Sequence, residues 1–148
     1  MKEIKNFDEF IKNGIVKKVK PNPSRVISLK VKAEKKKGSL QERIDKIELT
    51  EGNAEDYIES CYDIIMLFIR AKMLSNGYKA SGLGAHEAEV SYLRNMGFNE
   101  NDIQFVDKLR YFRNGMLYYG TTLDKEYAQK VLDFFNQIYP KLKKLVEK

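Results

Sequence analysis

The sequence predicts an all-α fold, an up-and-down helical bundle of four main helices plus a C-terminal helix. Three observations carry that prediction. Apolar residues recur at spacings of three and four over several long stretches. Helix-start and helix-stop residues punctuate the chain at regular intervals. Strand patterns are weak: Ile27, Leu29 and Val31 alternate with Ser28, Lys30 and Lys32, but an Asn-Pro start and a Lys/Ala/Glu-rich tail favour a helix there.

The elements follow in order. Asn6 with Glu9 three residues on resembles a capping box, and Gly14 ends that short helix. Asn22-Pro23 pairs an N-cap with proline at the first helical position, giving a helix over 22–37 that stops near Gly38. Ser39 with Glu42 opens a separate short segment to about Leu49. Asn53 caps a long helix over 54–76. In it Ile58, Cys61, Ile65, Phe68 and Ile69 form a stripe, and Ile64, Met66 and Leu67 make the middle apolar nearly all round, the pattern of a helix buried on most sides. A helix over 85–97 follows. Asn99 with Asp102 opens the next, over 100–119, with Val106, Leu109, Phe112 and Met116 on one face. Thr121 or Thr122 starts the last, over 123–146, whose stripe is Val131, Phe134, Phe135, Ile138, Leu142 and Leu145 and whose C-terminal lysines suit the helix dipole. Short connections favour antiparallel neighbours.

The chain of 148 residues fits one domain, a basic N-terminal helical segment (1–50) packed on a core (50–146). Charge is uneven. Residues 1–50 carry 14 basic and 7 acidic side chains, residues 51–100 carry 4 and 8, and residues 101–148 carry 9 and 6. The lysines at 30, 32, 35, 36 and 37 can neutralise phosphates, or they form a solvated helix face. No aromatic residue lies between Phe10 and Tyr57, which argues against base stacking on that segment. The longest apolar run, Ile64 to Ile69, falls far short of the ~20 residues of a spanning helix. The N-terminus lacks the apolar stretch of a secretory signal, so the expectation is a cytoplasmic protein with a reduced Cys61 and no membrane partner.

One cysteine excludes an internal disulfide framework and a cysteine-cluster zinc site, and one histidine excludes His-His metal motifs. No metal and no cofactor is therefore expected. Gly82-Leu83-Gly84 lacks the ending and the preceding strand of a phosphate loop and reads as an inter-helix turn. Cys61, on the apolar stripe, reads as a small core residue. Glu87 with Glu89, and Asp102 with Asp107, are not spaced for paired-carboxylate chemistry. His86 is either a first-turn surface or capping residue or a polar group lining a cleft.

The segment Lys108 to Gly120 is the informative one. Arg113 lies in an apolar and aromatic stretch, where a guanidinium must be paired or face a cleft. Asn114 adds a neutral donor and acceptor. Gly115 costs ~1 kcal/mol against alanine in a helix interior, which close approach of a backbone or ligand would justify. A packing or dimer surface built from Gly115, the tyrosines and an Arg113 ion pair is the plain alternative.

Phe112-Arg113-Asn114 through Tyr119-Gly120 resembles the signature of the HEPN superfamily, particularly its archaeal members, as do Ala71 to Tyr78 and His86-Glu87-Ala88 to Leu93 before it. The resemblance covers roughly residues 50–145. It implies a helical bundle that is usually dimeric and, in catalytic members, a metal-independent ribonuclease in which the arginine and histidine of two copies meet across the dimer cleft and the asparagine helps hold the geometry. The family's histidine, four to six residues after the arginine, falls at Tyr118 in the four-residue spacing, and no histidine follows. A phenol with an unperturbed pKa of ~10 is no base near neutral pH. What remains implied is a homodimer binding RNA or nucleotide with weak or no cleavage through Arg113, Asn114 and Tyr118, with Arg110, Tyr119 and His86 as further binding residues. On an ideal helix Arg113 and Tyr118 lie ~140° apart, a demand that a two-chain site relaxes. Two alternatives stand beside this: an interaction module of a toxin–antitoxin-like pair with a minimal nucleotidyltransferase, and a residual metal-independent endoribonuclease. In that pairing the partner enzyme modifies a tyrosine two places after the histidine, a position occupied here by Gly120.

Overall fold

The computed structural model describes residues 3–118, 120 and 122–147, with Leu117 and Tyr118 described by backbone alone. Within them the chain forms a bundle of helices: α1 (Phe7–Lys12), α2 (Pro23–Lys46), α3 (Ala54–Ser75), α4 (Ala85–Asn95), α5 (Glu100–Tyr118) and α6 (Lys125–Glu147). A small two-stranded sheet, β1 (Val16–Lys18) and β2 (Tyr78–Ala80), ties the N-terminal segment to the end of α3. No described helix is long and apolar enough to cross a membrane.

Helix α3 is the hub. It packs against α2, α6, α4 and α5, and its middle, Ile64 through Ile69, is buried as an all-round apolar helix must be. Helix α6 completes the core with Val131, Phe135, Ile138 and Leu142 and continues through Pro140. The N-terminal third joins the same core through Ile4, Phe7, Phe10, Val16, Ala33 and Leu40.

The punctuation holds at some ends and fails at others. The Asn6–Glu9 capping box forms, Asn22 Oδ1 accepts from the Arg25 amide at 3.1 Å, and Asn99 Oδ1 accepts from the Asp102 amide at 2.8 Å. Gly38 does not end α2, and Ser39 opens no new helix. The helix runs through because Val26, Leu29, Ala33, Leu40 and Ile44 keep one stripe against the core across the glycine, and that packing outweighs a propensity cost of ~1 kcal/mol. Asn53 makes no helix-capping bond. Its side chain instead accepts from the Thr50 amide and donates to the Glu48 carbonyl, which folds the connection before α3. Asp124, not Thr122, caps α6 by accepting from the Tyr127 amide at 2.8 Å; Thr121 lies outside the described residues.

The sheet was not expected. Its antiparallel register places Val16 opposite Ala80, Lys17 opposite Lys79 and Lys18 opposite Tyr78. Three residues are too few for a period of two to declare itself, and the partners lie far apart in sequence. Arg94 holds the chain end nearby: its guanidinium donates to the carbonyls of Ile4 and Lys5, to Asn6 and to Glu100.

Candidate functional site

Two clusters of polar side chains flank the α3–α4–α5 face. The first gathers on α4. The turn Gly82-Leu83-Gly84 brings the chain into α4 with both glycines at positive φ, a backbone that side chains resist. His86 then stands in the first turn and Glu89 one turn on. Glu89 is buried, 5% exposed, so its charge needs partners. It has two: Arg70 Nε on α3 donates to Oε2 at 2.8 Å, and His86 Nδ1 lies 2.9 Å from Oε1. A carboxylate only accepts, so Nδ1 carries the proton and donates to Glu89. Arg70 Nη2, 3.2 Å from the same Nδ1, is then a close neighbour and not a donor to it. This orientation leaves His86 Nε2 for another partner on a side chain that is 51% exposed.

His86 and Glu89 face a cleft of about 410 Å³. Its walls are the Val19–Asn22 connection, the start of α2, the end of α3, β2 and the start of α4. Pairing of β1 with β2 builds one wall, because Val19 donates to the Gly77 carbonyl at 2.8 Å just beyond the ladder.

The second cluster lies on α5. Arg110 Nε donates to Asp107 at 2.8 Å, and Asp107 is buried. Arg113 reaches back to α3. Its guanidinium carbon sits 5.4 Å from the Tyr62 ring centroid, a cation–π contact, and its Nε is 3.6 Å from Asp63 Oδ1. That distance is too long for a hydrogen bond, and the buried Nε has no acceptor among the described residues. Asn114 and Gly115 are half-buried beside it, and Tyr111 is exposed.

Tyr62 lies between the two clusters. Burial pushes its phenol up to about 12; Arg113, Arg70 and Arg110 oppose that rise and Glu89 adds to it. Cys61 next to it is a core thiol, pushed up to about 12 by burial, which leaves no thiolate for nucleophilic work.

Of the residues singled out in sequence, Arg110, Arg113 and Asn114 share α5, and His86 joins a different cluster on α4. Tyr118 ends α5 with its side chain outside the described set, and Tyr119 lies outside the described residues. Arg70, Glu89, Tyr62 and Asp63 were missed. Glu89 carried a signal, a carboxylate three residues after the lone histidine on a helix. Arg70 stood as a single charge at the end of an apolar run, itself a mark of a paired group. Of the lysine run, Lys35 and Lys36 are exposed, while Lys37 bonds Gln41 and lies over the Tyr139 ring. A second hollow, lined by Glu51, Glu55, Asp124 and Glu126, is acidic, and no group of residues among those described is arranged to hold a metal ion.

No family model, no curated protein and no solved structure matches this chain.

Proposed function

We propose that the chain is a HEPN-like homodimeric domain that binds RNA or nucleotide phosphate through the C-terminal half of α5, with weak or no cleavage. One observation supports this above the others. Arg113 lies over the Tyr62 ring on a side chain that is 27% exposed and makes no hydrogen bond to a described residue. The buried Nε faces Asp63, so the exposed part of the guanidinium is what a phosphodiester oxygen would engage. Arg110, fixed through Nε by Asp107, adds a second oriented guanidinium one turn away. Asn114 offers donor and acceptor groups to the same ligand.

The homodimer rests on the composition of the same surface. Tyr111 is exposed and Gly115 half-buried, an aromatic and a small group suited to a second copy, while Phe112 and Met116 pack inward on Tyr127 and the core. Weak cleavage follows from the identity of position 118, a tyrosine whose phenol does not serve as a base near neutral pH.

The test is binding of labelled single-stranded RNA to the wild-type chain and to Arg113→Ala at low and moderate salt, with light scattering for the oligomer. Weaker binding by the variant and a dimer at micromolar concentration support the proposal. Equal binding by both proteins, or a strict monomer, overturns it.

A further inference from the structure

The cleft beneath His86 takes no part in that reading, and its lining has a consistent chemistry. Four cationic side chains, Lys20, Arg25, Arg70 and Lys79, meet one carboxylate, Glu89. The rest of the lining is largely apolar, with Leu29, Met73, Leu74 and Tyr78. The volume, about 410 Å³, is that of a small-molecule site. From these features we infer that the cleft binds a phosphate monoester carrying a flat apolar body, of which a mononucleotide is one source and a simple aryl phosphate another.

The division of labour follows from the contacts. Glu89 takes Arg70 through Nε and so fixes the guanidinium plane, with Nη2 beside His86 and Nη1 making no bond to a described residue. The same carboxylate fixes His86 through Nδ1, which turns Nε2 to outside partners. Glu89 thereby positions two groups from two helices. Arg25, from the first turn of α2, and Lys79, from β2, stand on other walls.

A phosphate monoester suits this set better than a carboxylate. It carries a charge of about −1.5 to −2 near neutral pH and three acceptor oxygens, enough to engage several donors at once. The sheet supplies a further argument. Its register sets Lys17 opposite Lys79, and like charges directly opposite destabilise a strand pair. A dianion beside Lys79 relieves that repulsion. The apolar lining then covers the body of the ligand, so phosphate alone forfeits part of the binding.

The experiment is a titration of the isotope-labelled full chain, followed by amide chemical shifts, with phenyl phosphate, AMP and inorganic phosphate. Expected are shifts centred on Leu29, Met73, Tyr78 and His86, Kd of about 1 mM or tighter for the organic esters, and about tenfold weaker binding of inorganic phosphate. Tighter binding of AMP than of phenyl phosphate assigns a nucleotide; equal binding assigns phosphate monoesters with any flat apolar body. The Arg25→Glu/Lys79→Glu variant weakens the esters about tenfold or more, read from the shifts at Leu29, Met73, Tyr78 and His86. No binding below about 10 mM overturns the inference. So does equal affinity for inorganic phosphate, a shift pattern confined to α5 with none at the cleft, or indifference of the cleft shifts to the double variant. The wild-type shift map and the inorganic phosphate comparison decide the matter if the double variant fails to fold, and loss of RNA binding in Arg113→Ala is a separate result that leaves the cleft standing.

Discussion

Arg113 on α5 lies over Tyr62 on α3, with 5.4 Å between guanidinium carbon and ring centroid. The contact sets a planar cation beside the ring, and an ammonium reproduces neither the plane nor the fork of donors. Arg113→Lys therefore lowers RNA affinity about as far as Arg113→Ala, by about tenfold, in fluorescence anisotropy. Recovery of binding in the lysine variant would show that charge alone suffices.

Buried acids set the alkaline limit of the fold: Tyr62 and Cys61, and with them Tyr92, Tyr127 and Tyr139, are raised chiefly by burial. Tyr62 and Cys61 both titrate near 12, raised from 10.0 and 9.0 by burial. A group whose pKa is raised by folding stabilises the native state below its unfolded pKa, and that stability is lost as pH rises through the folded value. Stability thus falls from about pH 9 to 12, by about 1.4 kcal/mol for each group and each pH unit in its window. Urea midpoints measured along that range show the decline, and Cys61→Val flattens its lower part.

Glu89 links α3 to α4. Removing its charge with Glu89→Leu leaves Arg70 without its partner. Because the Arg70 side chain is 34% exposed, the loss is about 1–3 kcal/mol and falls short of that for a fully buried pair. Arg70→Met combined with Glu89→Leu recovers part of it, and a double-mutant cycle by chemical denaturation measures the coupling.

Gly38 sits on the exposed side of α2, and a Cβ built there meets nothing within 4 Å. Gly38→Ala stabilises the chain by about 1 kcal/mol, read as a higher melting temperature. A lower one would mean that α2 needs a break at that point.

Arg94 fastens residues 4–6 to the corner between α4 and α5. Arg94→Ala costs about 1–3 kcal/mol and raises hydrogen exchange at β1 before the core of α3 responds.

The helical core was legible because periodicity over twenty residues survives local noise. Ile58, Cys61 and Ile64 to Ile69, with Val131, Phe135, Ile138 and Leu142, were readable for that reason, and they are buried. Gly38 misled because propensity is local and the stripe it interrupts is not. The sheet was hidden because three-residue strands hold no period and pair across the whole of α2 and α3. The polar clusters divide the same way. The α5 residues are neighbours in sequence and were seen together. The α4 cluster joins Arg70 to His86 and Glu89 across two helices, a juxtaposition that only the packing of α3 on α4 creates.

A sheet of two strands has only edges, and an open edge invites a strand from another molecule. Here half of the six ladder residues, Lys17, Lys18 and Lys79, are lysines, and all three are exposed. A strand approaching from another copy brings the same lysines with it, so the charge that burdens the pairing at Lys17 and Lys79 also guards the sheet against growth. Neutralising these lysines would turn the smallest element of the fold into its main aggregation hazard.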